Sequence, residues 1–282
     1  MDLPEDLVDR VLAKLELARR PEPTLEGLHA VYSSWCRRVP FDNIRKLIHV
    51  RRQDPGVLPG DDARDFFDGW IRYGAGGTCW AGNGALCALL RALGFDARRA
   101  VGTMLVAADL PPNHGSTTAV FDGRRYLVDA SILHDEPLLL DEHAPPGERA
   151  LGVAAIPAWN AACRLLDGHW YVRWRPLHKP EGIDCRIDQF DSQAATFRQR
   201  HEQSRGWSPF NYELHVRMNR GTSVIGSAFG QRMEIDESGR AGQCLLPARD
   251  RIRFLVEEIG IHEELAAMVP PDVPTPRPPS AA

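Results

Sequence analysis

The sequence predicts an α+β chain. Helical apolar spacing fills the part before Ala97. Strand-forming runs take over from there. A last helix pattern, Leu246–Glu258, closes at Gly260. With 282 residues, 43% of them hydrophobic, the chain can bury a large core and build more than one domain.

Pro4, Glu5 and Asp6 suit a helix start, and Leu7, Val8, Val11, Leu12 and Leu15 follow at helical spacing. Thr24 is a candidate cap for a second helix that buries Leu25, Leu28, Val31 and Trp35 and stops at Pro40. Residues 51–62 read as a loop, and Asp62–Tyr73 as a short amphipathic helix. The glycine-rich Gly74–Thr78 precedes Cys79, after which a helix runs to Leu93 and stops at Gly94. Arg99–Val106, Ser116–Phe121, Arg124–Val128, Trp170–Arg175, Glu213–Met218 and Ser223–Phe229 are strand-like. The Pro-rich end, residues 270–282, is expected to be disordered.

The net charge of −4, with no basic tract, argues against a nucleic-acid partner. No run approaches the ~20 apolar residues of a membrane span, and the charged, amphipathic N-terminus does not read as a signal peptide. The expected compartment is the cytoplasm. Six dilute cysteines without a CxxC pair argue against structural zinc and a disulfide framework, so no metal is expected.

Cys79 stands out among them. The glycine turn leaves it uncrowded, and a helix start turns unpaired N–H groups and a positive dipole end toward the sulfur. That favours the thiolate and offers donors to an oxyanion. The alternative is a structural cysteine beside a turn. Cys36 and Cys87 lie in apolar helices and read as core, while Cys163, Cys185 and Cys244 lack an obvious base.

A base emerges from register. If Asp122-Gly123 is a two-residue hairpin loop, Phe121 pairs with Arg124 and Asp129 lies opposite Ser116. His114 and Asp129 are then diagonal neighbours on one face, within roughly 7–8 Å at Cβ. A carboxylate that accepts the imidazole proton fixes the tautomer and leaves the other nitrogen for the thiol. The alternative is an ordinary surface His–Asp pair. His134 and His143 sit in a Pro/Asp/Glu-rich stretch and read as solvated. Trp159, Trp170, Trp174 and Trp207 read as core or pocket walls.

Five segments carry a family resemblance: Pro40–Ile44 (PFDNI), Gly76–Trp80 (GGTCW), Leu89–Phe95 (LLRALGF), His114, and Arg124–Ser131 (RRYLVDAS). Together they resemble the arylamine N-acetyltransferases. Ser208–Val216 and Phe254–Ile261 add a weaker likeness. The resemblance implies a Cys79, His114, Asp129 triad in a cysteine-protease-like catalytic core. It implies a helical bundle (1–95) carrying Cys79, a β-barrel (96–205) carrying His114 and Asp129, an α/β lid (206–268), and a disordered tail (269–282). It further implies ping-pong transfer of an acetyl or other acyl group from acetyl-CoA, as substrate, to an aryl amine, with no tightly bound cofactor. Phe41, Trp80 and Ser131 are the candidate pocket residues.

The chain departs from the family pattern at Ala75, Thr78, Trp80 and Ala81, at Gly115-Ser116, and at Ser131-Ile132-Leu133. These changes keep other readings open. One is an amide synthase fed by an acyl carrier protein. A second is hydrolytic use of the same triad, and a third is a non-catalytic binding protein on this fold.

Overall fold

The computed structural model describes residues 3–107, 110–140 and 157–276. Helix α1 (Glu5–Lys14) begins after Pro4 and buries Leu7, Val8, Val11 and Leu12. In α2 (Leu25–Arg38) the Thr24 hydroxyl accepts the Gly27 N–H at 3.1 Å. Leu28, Val31 and Trp35 are buried as expected. Leu25 is not: it sits at the first helical position, ahead of the buried stripe, and is 43% exposed. Val39 turns extended before Pro40, which ends the helix.

Helix α3 (Ile44–Arg52) had no sequence expectation; four basic residues and a histidine interrupt its apolar stripe. Ile44, Leu47 and Ile48 still pack inward at helical spacing, and the expected loop starts only after Gln53. Helix α4 (Ala63–Tyr73) is capped by the Asp62 side chain, which accepts the Asp65 N–H, and ends at Gly74 in the left-handed region. Helix α5 (Cys79–Ala92) starts on the candidate nucleophile. Helices α1, α2, α4 and α5 share a core in which Trp35 stacks on Phe66 with centroids 5.8 Å apart.

Seven antiparallel strands form the larger sheet: β2 (Ala97–Met104), β3 (His114–Phe121), β4 (Arg124–Leu127), β5 (Leu138–Leu140), β6 (Ala161–Leu166), β7 (His169–Trp174) and β8 (Ile183–Ser192). Their order is β5-β4-β3-β2-β8-β7-β6. The Cys163 thiol of β6 donates to the Leu139 carbonyl of β5 at 3.3 Å, so the two edges meet and the sheet is a nearly closed barrel. Asp122 and Gly123 both have positive φ (49° and 76°), the conformation a two-residue hairpin turn requires. The register is the expected one: Phe121 pairs with Arg124 and Thr118 with Leu127.

A smaller sheet runs β1-β9-β10-β11-β12: β1 (Phe41–Asp42), β9 (Val216–Arg220), β10 (Ser223–Ala228), β11 (Gln231–Ile235) and β12 (Ala241–Leu245). The PFDN segment thus donates an edge strand to the C-terminal part. Helix α6 (Ala194–Gln203) crosses behind α5. Helix α7 (Ala248–Arg253) continues as a π-helical stretch, Phe254–Ile259, and stops at Gly260 with φ 88°; α8 (Glu263–Ala266) follows.

Two further expectations need correcting. Trp207 is half exposed rather than core, because it follows α6 in an outward turn. The chain end is ordered over residues 270–276: Asp272 pairs with Arg251 at 2.6 Å and accepts the Leu214 N–H at 2.9 Å, and Val273 N–H donates to Tyr212. Proline lowers the entropy lost on ordering, so a few polar anchors hold the strip. Residues 277–282 and His143 lie outside the described residues.

Candidate active site

Cys79 occupies the first position of α5, buried to 7%. The loop before it is fastened by Asp42. Its Oδ2 accepts the Gly76 N–H at 2.6 Å and its Oδ1 the Ile44 N–H at 2.9 Å. Burial raises this carboxyl to about pH 6 against those two bonds. Gly76 is obligatory: a Cβ there would stand 1.9 Å from the Pro40 carbonyl oxygen.

The hairpin brings the candidate base. His114 Nε2 lies 2.7 Å from Asp129 Oδ2, with both side chains at 3% exposure or less. Asp129 is surrounded by donors. Oδ2 also receives the Ser116 hydroxyl at 2.6 Å. Oδ1 receives the backbone N–H of Ser131 at 2.8 Å and of Ile132 at 3.1 Å, and the Asn83 amide at 3.2 Å. Tyr32 fixes the backbone behind it: its hydroxyl donates to the Asp129 carbonyl at 2.9 Å and accepts the Asp129 N–H at 3.0 Å.

These contacts set the charges. Burial disfavours the Asp129 carboxylate, but His114 and the surrounding donors outweigh it and hold the carboxyl well below its usual range. Burial likewise disfavours the His114 imidazolium, yet the Asp129 charge and hydrogen bond, with a hydrogen bond to Cys79, raise it well above 6.5. Since Asp129 holds Nε2, the nitrogen left for the Cys79 sulfur is Nδ1.

The residues flanking these three fit one another. Gly115 stands where a Cβ would lie 2.6 Å from Trp80 and 3.0 Å from Phe197. Trp80 and Phe197 meet edge to face at 5.2 Å and pack with Cys79 and Val101. Ser116 supplies the hydroxyl that completes the Asp129 shell. Ala81 lies in a slot where Gly60 and Gly77 approach so closely that a Cβ on either would come within 3.0 Å of its own. Ala75 is wholly buried among apolar residues.

Of the candidate pocket residues, Trp80 is beside Cys79. Phe41 is half-buried against Phe210 at 5.4 Å. Ser131 belongs to the carboxylate cradle, its hydroxyl facing the Asn83 amide at 3.5 Å. Asn83 escaped the sequence reading although its side chain binds four groups: its amide N–H also donates to the Gly115 carbonyl at 2.7 Å and its Oδ1 accepts the Ala130 N–H at 3.0 Å. Its position one helical turn after Cys79 was the available signal. His134 is not solvated. It is 3% exposed, with Nδ1 2.8 Å from the Glu136 carbonyl and its ring against Tyr32, and burial lowers its pKa to about 4. The Tyr32 contact, distant in sequence, draws it in. Among the described residues no group of three His, Cys, Asp or Glu side chains could hold a metal. No helix there is long and apolar enough to cross a membrane.

A family profile described as N-acetyltransferase matches residues 24–146. The arylamine N-acetyltransferase of Mycolicibacterium smegmatis is 32% identical over 129 residues, 43% of this chain and 44% of that protein. The N-malonyltransferase FDB2 of Gibberella moniliformis is 29% identical over 132 residues, 46% of this chain and 37% of that protein. These matches span less than half the length of either relative. The fold likeness is wider. The arylamine N-acetyltransferase of Mycobacterium abscessus superposes with a TM-score of 0.75 at 18% identity, over 93% of this chain and 92% of that one. That of Mycobacterium marinum in complex with CoA gives 0.75 at 19%, over 93% and 97%. The fold is that of the N-acetyltransferases. In sequence, residues 24–146 are similar to that family.

Proposed function

We propose that this chain is an acyltransferase that carries an acyl group on Cys79 between a CoA thioester and an amine. The observation that carries the reading is the buried His114–Asp129 pair, 2.7 Å apart, with the Cys79 thiol at the start of α5 among the groups that favour the charged imidazole. Asp129 holds the imidazole by Nε2 and stabilises its charged form. The imidazole takes the thiol proton at Nδ1. The Cys79 thiolate attacks the thioester carbonyl, and the C–S bond to CoA breaks. CoA leaves with the proton from His114. An amine then attacks the Cys79 thioester, gives a proton to His114, and releases the thiolate. The free N–H groups in the first turn of α5 are the donors for the oxyanion.

The likeness to arylamine N-acetyltransferases supports acetyl-CoA as donor and an aromatic amine as acceptor, with Phe41 and Trp80 as apolar walls. In this reading residues 1–95 present the nucleophile, 96–205 the base and its orienter, and 206–268 cover them. The test is intact-mass spectrometry after exposure to acetyl-CoA. One acyl group should appear on the wild type and none on Cys79→Ser, and amine acetylation should disappear with it. An active Cys79→Ser protein would overturn the assignment.

A further inference from the structure

Helices α5 and α6 and the start of α4 enclose a cavity of about 150 Å³ that the steps above do not use. Cys79, His114 and Asp129 are not among the residues that line it. Trp80 and Phe197, meeting edge to face at 5.2 Å, form its aromatic wall, and Leu3 and Pro4 add apolar surface. A space of this order takes one six-membered aromatic ring.

Small side chains leave that space. Gly84 and Ala88 stand one turn apart on α5, and both line the cavity. A glycine inside a helix is less stable there than alanine. Packing does not require this one. A Cβ at position 84 would find its nearest neighbour, Phe197, at 3.8 Å, an ordinary contact. Gly84 thus differs from Gly115, where a Cβ would collide. What the missing side chain leaves is room in the cavity.

One charge in the wall is uncompensated. Arg99, on β2, is half-buried, and its guanidinium lies over the Phe197 ring at 5.8 Å. Among the described residues its side chain makes no hydrogen bond and no ion pair. Burial disfavours its charge, and Arg91 and Arg198 oppose it further. Cys87, the group that would favour the charge, is a thiol whose pKa burial raises, so it supplies no anion. The other charged groups of the wall are engaged. Asp61 Oδ2 lies 3.9 Å from Arg198 Nε, the Asp62 side chain accepts the Asp65 N–H at 2.9 Å, and Arg64 faces Asp68 at 4.0 Å. His201 is neutral, lowered to about 4 by burial, with Nε2 3.0 Å from the Pro59 carbonyl. A planar guanidinium without an acceptor matches a carboxylate through two parallel hydrogen bonds.

We propose that this cavity is a binding site for a small aromatic carboxylate, with its ring against Trp80 and Phe197 and its carboxylate on Arg99. The inference does not depend on Cys79 carrying an acyl group. The site still adjoins Cys79, because Trp80 packs against it.

The experiment is a fluorine NMR titration with para-fluorobenzoate and with its neutral counterpart para-fluorobenzamide, in the absence of any thioester. The wild type should bind the carboxylate at least about tenfold more tightly, the value of a charge-assisted hydrogen bond. Arg99→Met should remove that preference. Gly84→Leu, which fills the cavity, should abolish binding of both compounds; if it does not fold, Ala88→Leu fills the same space from the next turn. Binding should persist in Cys79→Ser, and a loss there would put the ligand at Cys79 instead and overturn the proposal. No carboxylate binding, equal affinity for the two compounds, or undiminished carboxylate binding in Arg99→Met or in the cavity-filling variant would overturn it too. Absence of an acyl label on Cys79 bears on the acyltransferase reading alone.

Discussion

Asp129 accepts five hydrogen bonds within one buried carboxylate, so its replacement has both chemical and structural costs. Asp129→Asn keeps the shape but turns two acceptor positions into donors, facing Ser116 and His114. Acylation should slow by about 10³–10⁴, as for an orienter that leaves the wrong tautomer. The pair also predicts a pH profile of stability. Asp129 is lowered in the fold, so its contribution is present above its unfolded value of 3.8 and is lost as pH falls below it. His114 is raised, so its contribution is full below its unfolded value of 6.5 and declines as pH climbs above it. The difference in melting temperature between wild type and Asp129→Asn should therefore be widest between about pH 4 and 6.5 and narrow on both sides. A difference independent of pH would contradict the ion-pair assignment. The place of Cys79 at a helix start and the meeting of His114 with Asp129 were readable from sequence because each belongs to a local pattern, a glycine turn or a two-residue hairpin. Asn83 and Tyr32 were not, because what marks them is a partner between 32 and 97 residues away.

At the scale of elements, α5, β3 and α6 are matched by volume. The glycine at 115 makes room for Trp80 and Phe197, which a Cβ there would meet at 2.6 and 3.0 Å. Gly115→Ala should destabilise by about 1–3 kcal/mol, as overpacking does. Trp80→Phe in the same chain should return part of that loss, so a double-mutant cycle in urea should give a non-additive result. Additive changes would show that the two positions do not share the space. The strands and helices that sequence patterning missed are those where polarity hides the period. In α3 the basic residues break the stripe, and in β8 (IDCRIDQFDS) the strand alternates but carries three aspartates. Tertiary packing, not local preference, decides both.

For the whole molecule, the PFDN segment joins the parts. Asp42 fastens the loop before Cys79, and Asn43 fastens the C-terminal sheet. The Asn43 side chain donates to the Phe210 and Glu213 carbonyls at 2.8 and 2.7 Å and accepts the His215 N–H at 2.8 Å. Asn43→Ala would orphan one buried and two half-buried backbone groups and should cost about 2–4 kcal/mol, measured by chemical denaturation. A loss below about 0.5 kcal/mol would mean that the junction is held elsewhere. The α+β class was legible because helical and strand periods occupy separate stretches of chain. The nearly closed barrel was not, since its edges meet through Cys163 and Leu139, residues that no local pattern pairs.

The hairpin between His114 and Asp129 has one more consequence, for how such a chain can vary over time. Its paired positions keep a constant sum of residue numbers, and side chains alternate faces at every step. Letters in this stretch can change, as Gly115 and Ser116 illustrate. Its count cannot change by one. A single insertion or deletion between residues 115 and 128 would turn the carboxylate to the opposite face of the sheet and separate it from the imidazole. The number of residues between His114 and Asp129 is thus as much a part of the pair's geometry as the two side chains themselves.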